Sequence, residues 1–388
     1  MEKPLPRPAA PAPDKARDPW WDNTRFVSAA LIVVLHTIGS LISRYDGLGI
    51  YHVGTWAFRV PLFVVLAGVF SSGDPLGPRR LRTLLQSIVV PALIFSLLYS
   101  LEVKALGGAF TLHITQLPWT LWFLMSLFFW RLLLPLVVQL RHPLLVTTAV
   151  SLAVGYVDTF GMEFSASRTL VYMPLFYLGW SLGQGMLKEW FEARWSLPVA
   201  VAGIAASFTV GLLWHEDVSG TWLSMRHPYT AATDTPLGLE GAWVVRLAVL
   251  AGAAGLVLCL LRLMPRRRLP FVSLLGSGGF TIYLLHPLVL LPLREKGLIA
   301  RADTRLELLG LMAGGVLLAA VLGSPWVRRL VQPLTRPPIG RLFAPLAASA
   351  PQPAPAPALS DDTMALSKRL EKRPSSHGDS GDRQPTYR

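Results

Sequence analysis

Arg25 and His36 are the residues whose types and spacing most directly indicate chemistry. They lie eleven residues apart at the start of a mainly apolar run that ends near Ile42. At about 100° and about 1.5 Å per residue, a helix would bring both to one face, roughly 16 Å apart. Ionisable residues inside membrane helices usually face a cavity or a partner, so the pair predicts a functional site. The structural alternative is an interfacial anchor at Arg25 and a packed, hydrogen-bonded His36.

The composition is typical of a membrane protein. Of the 388 residues, 52% are hydrophobic and 15% are charged, whereas soluble domains carry about 25% charged residues. A formal charge of +13 on a soluble domain would fit nucleic-acid binding, but the arginines cluster in short connections and in the tails. Membrane orientation explains them better, so no nucleic acid is expected as a partner. The single cysteine, Cys259, excludes a disulfide framework and a cysteine metal site.

Ten windows are apolar and long enough to cross about 30 Å of hydrocarbon. They cover residues 26–44, 52–70, 83–102, 118–138, 143–158, 169–187, 197–214, 243–262, 271–293 and 306–324. Lys and Arg are concentrated in the connections after the second, fourth, sixth and eighth windows, which makes those connections cytoplasmic. The predicted fold is an all-α polytopic membrane protein, a bundle of about ten transmembrane helices with both termini cytoplasmic.

The chain divides into three predicted regions. A basic, Pro-rich N-terminal tail covers 1–21, a transmembrane domain covers 22–326, and a cytoplasmic C-terminal tail covers 327–388. The tails contain too few apolar residues to bury a core, so the first is expected to be disordered and the last largely so.

Other polar residues lie inside the predicted spans. Arg59 follows the start of the second window by about seven residues. An arginine at that position either snorkels outward, lines a cavity or neutralises an anion. Arg131 lies near the cytoplasmic end of the fourth window, where snorkelling and a cavity role are equally consistent. Tyr283 and His286 share one helix face because they are three residues apart. Since Pro287 follows, His286 could instead cap a kink.

Two further clusters carry weaker signals. Residues 276–279, Gly-Ser-Gly-Gly, lack the spacing of a phosphate-binding loop and fit a hinge or close helix packing as well. His215, Glu216 and His227 lie in the longest predicted outer loop but have no metal-binding spacing. We therefore expect no metal.

Four blocks resemble, in order, those of the acyltransferase family 3 membrane enzymes, particularly the fucose 4-O-acetylase-like branch. The first is DPWWDNTRFVSAALIVVLH, in which Asp22, Arg25 and His36 match the family's acidic, basic and histidine positions at the R-x10-H spacing. The others are FRVPLFVVLAGVF, LWFLMSLFFWRLLLP and LGSGGFTIYLLHPLVL. The resemblance runs from about Arg17 to Trp326.

The second block departs from the family pattern at two positions. Arg59 stands where related enzymes usually have a histidine, and Ala67 stands where they have a serine. The arginine favours an anionic acceptor, and we assign no role to Ala67.

The resemblance implies a multi-pass enzyme of the bacterial plasma membrane. It implies transfer of an acyl group, most often acetyl from acetyl-CoA, to a hydroxyl of a carbohydrate or lipid-linked glycan precursor. Imidazole is well matched to removing the proton of an alcohol, and cations suit the phosphates of coenzyme A. The predicted site residues are His36, Tyr283 and Arg59 for catalysis, Arg25, Asp22 and Arg131 for the acyl-CoA donor, and Trp122 and His286 for the acceptor.

The sequence leaves the route of acyl transfer open, and it leaves one alternative function open. His36 either deprotonates an acceptor that attacks the thioester directly, which we prefer, or carries the acyl group itself before transfer. The alternative function is a transporter or flippase of lipid-linked sugars, which inverted repeats would favour, but the two halves show no internal repetition. A non-catalytic sensor or scaffold would leave the spacing of Arg25 and His36 unexplained.

Overall fold

The computed structural model describes residues 18–112, 114–158, 163–231 and 237–337. Within these ranges the chain is helical and contains no strand, which confirms the predicted all-α class. The predicted disorder of residues 1–17 and 338–388 lies outside the described residues.

Seventeen α-helices follow one another in the described part of the chain. The first nine are α1 (Pro19–Ile38), α2 (Asp46–Gly54), α3 (Val60–Val69), α4 (Pro78–Leu84), α5 (Val90–Ala105), α6 (Trp122–Val137), α7 (Pro143–Ala153), α8 (Ala166–Gly183) and α9 (Lys188–Glu192). The others are α10 (Ser196–Trp214), α11 (Gly220–Ser224), α12 (Gly238–Leu263), α13 (Pro270–Gly276), α14 (Gly279–Glu295), α15 (Arg305–Gly323), α16 (Pro325–Leu330) and α17 (Gln332–Thr335). Short 3-10 segments are Gly39–Arg44, Trp56–Phe58, Trp119–Leu121, Val154–Tyr156, Glu163–Ser165, Tyr229–Ala231 and Ile299–Arg301, and Leu85–Val89 is π-helical.

Six helical stretches of the described chain are long and apolar enough to cross a membrane. They are Pro19–Arg44, Pro78–Ala105, Trp119–Val137, Ser196–Trp214, Gly238–Leu263 and Arg305–Gly323. The number rises to eight if each of two bent pairs, α2 with α3 and α13 with α14, is one span. The other two predicted windows fall on α8 and on α7, which with its 3-10 extension reaches only Pro143–Tyr156. The structure thus supports six to eight spans, and the number of about ten and the cytoplasmic termini stay predictions.

Both bends occur beside a proline or a glycine. α2 and α3 meet at 56°, and Pro61 lies in the first turn of α3, where a residue without a backbone N–H fits best. α13 and α14 meet at 78° around Gly278. A β-carbon on Gly276 would overlap the carbonyl oxygen of Asp22 in α1. The glycine-rich segment therefore serves close helix packing at a bend.

Close helix approach also fixes α3 against α8. A β-carbon on Gly68 would overlap the carbonyl oxygen of Phe176, and one on Gly179 would overlap that of Val65. Small residues allow membrane helices to come this near, so these glycines set the distance between α3 and α8.

The start of α1 marks one face of the bundle, which we call the basic face. There Trp20 Nε1 donates to the carbonyl oxygen of Leu261, at the end of α12, over 3.0 Å. The other end of α1 meets the connection between α14 and α15, where Tyr45 donates to the carbonyl oxygen of Ala302 over 3.1 Å. We call that end the opposite face.

The helical part continues past the predicted boundary at residue 326. α16 and α17 extend it to Thr335, because Ser324 caps α16 by accepting from the backbone N–H of Val327 and a proline opens each helix. Thr335 is buried, so this segment is packed on the bundle and is not part of a solvated tail.

Candidate functional site

Within the described residues, one cavity lies toward each face of the bundle. The basic-face cavity has a volume of about 390 Å³, and its lining includes Arg25, Phe63, Phe123, Arg131, Tyr283 and Arg336. The opposite-face cavity has a volume of about 250 Å³, and its lining includes His36, His52, Arg59, Trp122, Arg168 and Arg226.

The same helices line both cavities at different depths. α1 contributes Arg25 to the basic-face cavity and His36 to the opposite-face cavity. α6 contributes Arg131 to the first and Trp122 to the second. The cavities are therefore stacked along α1 and α6, and the spacing of Arg25 and His36 corresponds to one residue in each.

Aromatic side chains lie where the two cavities approach each other. Phe123 lies 4.9 Å from Phe63 and 5.7 Å from Tyr283, measured between ring centroids. Trp122, the neighbour of Phe123 in α6, faces the opposite-face cavity. This aromatic partition is thin, since consecutive residues of α6 belong to different cavities.

His36 is paired with His286, a contact that the sequence does not reveal because the residues are 250 positions apart. His36 Nδ1 lies 2.9 Å from His286 Nε2, and the rings stack with their centroids 5.1 Å apart. His286 is fully buried and lies behind His36, whereas His36 is half-buried and lines the cavity. The prediction that His286 contacts the acceptor does not fit this position, and we assign His286 a positioning role.

The hydrogen bonds of this pair define which nitrogen of His36 is unprotonated. His286 Nδ1 lies 2.9 Å from the carbonyl oxygen of Ile282, which can only accept, so Nδ1 carries the proton. Nε2 of a neutral His286 is then an acceptor, and His36 Nδ1 must donate to it. The remaining nitrogen, His36 Nε2, keeps its lone pair, which is the form that a general base requires.

Arg59 lines the opposite-face cavity from inside the bundle and does not snorkel. It is 4% exposed. Its guanidinium donates from Nη2 to the carbonyl oxygen of His52 over 3.0 Å and from Nη1 to Thr55 Oγ1 over 3.4 Å. The break between α2 and α3 positions it, because Arg59 is the residue before α3 begins.

The hydrogen bonding of Tyr283 differs from that expected of a donor to a developing oxyanion. Its hydroxyl donates over 2.5 Å to the carbonyl oxygen of Thr120. A phenol has one O–H, so this bond commits the proton. Tyr283 lines the basic-face cavity while His36 lines the other, and its ring is part of the aromatic partition. We therefore assign it a structural role there.

Arg25 and Arg131, two of the three predicted donor residues, line the basic-face cavity, and the third, Asp22, contacts Arg25. Arg25 Nη1 donates to Asp22 Oδ1 over 2.6 Å, the i,i+3 contact that their spacing predicts, and the guanidinium lies 3.8 Å from the centroid of the Phe70 ring. Arg131 lines the same cavity and donates from Nε to Ser71 Oγ over 3.2 Å. Two arginines from different helices thus face one space.

A polar cleft of about 360 Å³ adjoins the basic-face cavity. Its lining includes Arg328 and Arg329 of α16 and Arg336, and it shares Ser277, Phe280, Thr335 and Arg336 with the cavity. We call it the α16 cleft. Sequence reasoning missed these arginines because residues 327–388 were predicted to be a tail.

The opposite-face cavity contains three polar residues that the sequence did not single out. His52, Arg168 and Arg226 belong to α2, to the first turn of α8 and to the outer loop, so no local spacing links them. Arg168 lies over the ring of Trp122, with its guanidinium carbon 4.6 Å from the ring centroid. The one available signal was the position of Arg168 at the edge of an apolar window.

One group of described residues has a spacing compatible with a metal ion. The ligand atoms of Asp46, His215 and Glu216 lie within 4.8 Å of one another. None of these residues lines either cavity, and Asp46 and Glu216 are exposed. We assign this group no part in the site.

Across the described residues, an all-helical bundle with six to eight candidate spans and with arginines lining cavities toward both faces defines a multi-pass membrane protein. Residues 18–324 match acyltransferase family 3, described as an acyltransferase domain. Because the match covers most of the chain, the protein belongs to this family of acyltransferases. No curated protein and no solved structure matches it significantly.

Proposed function

We propose that this protein is a membrane O-acyltransferase. It transfers an acyl group, acetyl in the first instance, from acyl-CoA in the basic-face cavity to a hydroxyl of a carbohydrate or glycan precursor in the opposite-face cavity. Membership of the fucose 4-O-acetylase-like branch belongs to the same proposal. The observation that carries it is His36, a histidine in a tautomer suited to a base at the inner end of a cavity.

The distribution of charge supports the donor side. Arg25, Arg131 and the arginines of the α16 cleft can bind the phosphates of coenzyme A through charge-assisted hydrogen bonds. The positive-inside rule assigns this face to the cytoplasm, where acyl-CoA is made. The pantetheine arm then extends along α1 toward His36.

In the direct route, His36 Nε2 takes the proton of the acceptor hydroxyl as its oxygen attacks the thioester carbonyl. The carbon–sulfur bond then breaks, and the leaving thiolate takes the proton from the imidazolium. Arg59, on the same cavity as His36, can donate to the oxyanion of the tetrahedral intermediate.

In the relay route, His36 Nε2 attacks the thioester carbonyl, and the carbon–sulfur bond breaks to release coenzyme A as its thiolate. The acceptor hydroxyl then attacks the acyl group, the carbon–nitrogen bond to the imidazole breaks, and the hydroxyl proton passes to water or to the thiolate. Both routes require the thioester to pass the aromatic partition, because His36 lines the opposite-face cavity. Exchange of labelled free coenzyme A into acyl-CoA without an acceptor distinguishes the two, because only the relay supports it.

The proposal is tested by acyl-CoA turnover and donor binding of the purified protein in detergent. His36→Ala should lower turnover about 100-fold or more, the usual contribution of a general base, and leave donor binding unchanged. The control is His142→Ala, an exposed histidine that lines neither cavity. Full turnover in His36→Ala would exclude the base assignment.

The donor side has its own variant. Arg25→Ala should raise the KM for acyl-CoA about tenfold or more, since a charge-assisted hydrogen bond is worth about 1.5–3 kcal/mol. Arg141→Ala, an exposed arginine after α6, should leave that KM unchanged. If Arg25→Ala altered only the yield of folded protein, Arg25 would be an interfacial anchor. Absence of any coenzyme A binding would favour the flippase alternative.

A further inference from the structure

We propose that the acceptor carries an anionic group, a carboxylate or a phosphate ester, beside the hydroxyl that receives the acyl group. The inference rests on the proposed function and names the class of its acceptor. Its basis is a set of three arginines that line the opposite-face cavity, Arg59, Arg168 and Arg226. None of them forms an ion pair with a carboxylate of the described residues, and no Asp or Glu of those ranges lines the cavity.

Arg59 is the most deeply buried of the three. Its partners are a backbone carbonyl and a hydroxyl, both neutral, although it is almost fully buried. Arg25, by contrast, is more exposed and is paired with Asp22. A buried guanidinium without a counter-charge is unfavourable, and buried charges are usually paired. An anion that enters the cavity would supply the missing charge.

Arg246 is a second buried arginine whose partners are all neutral, and it differs from Arg59 in having no opening to either cavity. Arg246 is 2% exposed and lines neither cavity. It donates to the carbonyl oxygens of His227 and Ser151 over 2.7 Å and 3.3 Å, and its guanidinium carbon lies 4.3 Å from the centroid of the Tyr229 ring. Arg246 is enclosed by the protein, whereas Arg59 faces open space.

The three arginines form a series from the mouth of the cavity inward. Arg226 in the outer loop is exposed, Arg168 is half-buried and Arg59 is buried. Burial and the positive charges of Arg226 and Arg168 lower the pKa of His227 beside the mouth. Cations arranged this way attract an anion at the mouth and bind it more strongly as it loses water.

The coenzyme A phosphates are a less suitable source of this anion. They have arginines of their own in the basic-face cavity and the α16 cleft. The opposite-face cavity is instead lined by Trp122, whose ring stacks on Tyr172 at 6.2 Å between ring centroids and has the Arg168 guanidinium carbon 4.6 Å above its own centroid. This ring holds the Arg168 guanidinium in the cavity, where its N–H groups suit a charged substituent of the acceptor.

The test is direct binding to the purified protein, measured by isothermal titration without any acyl donor. The probes are hexyl glucoside, hexyl glucuronide and hexyl glucoside 6-phosphate, which share a tail and ring but differ in charge, together with adenosine 3′,5′-bisphosphate. The variants are Arg59→Gln, Arg59→Lys and Arg168→Gln. The control is Arg301→Ala, an exposed arginine near the opposite face that lines neither cavity.

We expect an anionic probe to bind at least about tenfold more tightly than hexyl glucoside. Arg59→Gln and Arg168→Gln should remove that preference, and Arg59→Lys and Arg301→Ala should keep it. Preference for the glucuronide alone identifies an acidic sugar, and preference for the phosphate alone identifies a phosphorylated one. If Arg59→Gln does not fold, the result for Arg168→Gln decides whether the arginines bind the anion, since Arg168 is less buried and its replacement disturbs the fold less.

Three results would overturn the inference. They are equal binding of charged and neutral probes, a preference that survives Arg168→Gln, and binding of adenosine 3′,5′-bisphosphate that is lost in Arg168→Gln. The last would assign the arginines to the donor. Because no donor is present, failure here is distinct from failure of acyl transfer, which the turnover of His36→Ala tests.

Discussion

Replacing His286 tests how His36 is held ready to accept a proton. His286→Leu introduces an apolar side chain of similar size and removes the acceptor for His36 Nδ1–H, 2.9 Å away. The imidazole of His36 then loses the bond that selects its tautomer. Since His286 lines neither cavity, the substitution leaves the donor and acceptor surfaces intact.

The expected effect follows from how this bond changes during the reaction. Before proton transfer it joins two neutral rings and is worth about 0.5–1.5 kcal/mol, and once His36 is charged it is worth about 1.5–3 kcal/mol. Only the difference, about 1–1.5 kcal/mol, lowers the barrier, which corresponds to a five- to thirteenfold loss in kcat. His36→Ala should lose far more, because it removes the base itself.

The assay is steady-state acyl-CoA turnover on purified protein, with kcat and donor KM determined separately. The kcat of His286→Leu should fall and its KM should not change. His286→Gln, which can present a carbonyl oxygen near the position of Nε2, should recover most of the loss. An unchanged kcat in His286→Leu, or a loss as large as that of His36→Ala, would refute the positioning role.

Two further substitutions separate roles on the donor side. Tyr283→Phe should keep kcat within about threefold. It should lower the free energy of unfolding by about 0.5–1.5 kcal/mol, the value of the hydrogen bond that Tyr283 donates to Thr120. A hundredfold fall in kcat would instead support the oxyanion role of Tyr283. Joint replacement of Arg328 and Arg329 by Ala should raise the KM for acyl-CoA about tenfold or more without altering kcat, since both arginines line the α16 cleft. An unchanged KM would exclude that cleft from donor binding.

Features that depend on one helix were predictable from the sequence. The apolar windows defined the helical class, and the i,i+3 spacing predicted the contact between Asp22 and Arg25. The spacing of Arg25 and His36 indicated two depths along one helix, which the structure shows as one residue in each cavity. These features follow from helix geometry and hydropathy alone.

Features that depend on contacts between distant helices were not predictable. The pairing of His36 with His286 requires α1 to pack beside α14, and no local pattern encodes that arrangement. The same applies to Arg168, which reaches the cavity of His36 from α8. The hydrogen bond of Tyr283 to a backbone carbonyl likewise leaves no trace in the sequence.

Chemical rescue of His36→Ala tests most directly whether one imidazole performs the proton transfer from within the opposite-face cavity. Turnover of acyl-CoA is measured with His36→Ala in increasing imidazole, alongside donor binding. We predict a fall of about 100-fold or more with unchanged donor affinity, and partial recovery that rises with the concentration of neutral imidazole. Wild-type turnover in His36→Ala without imidazole would contradict the account.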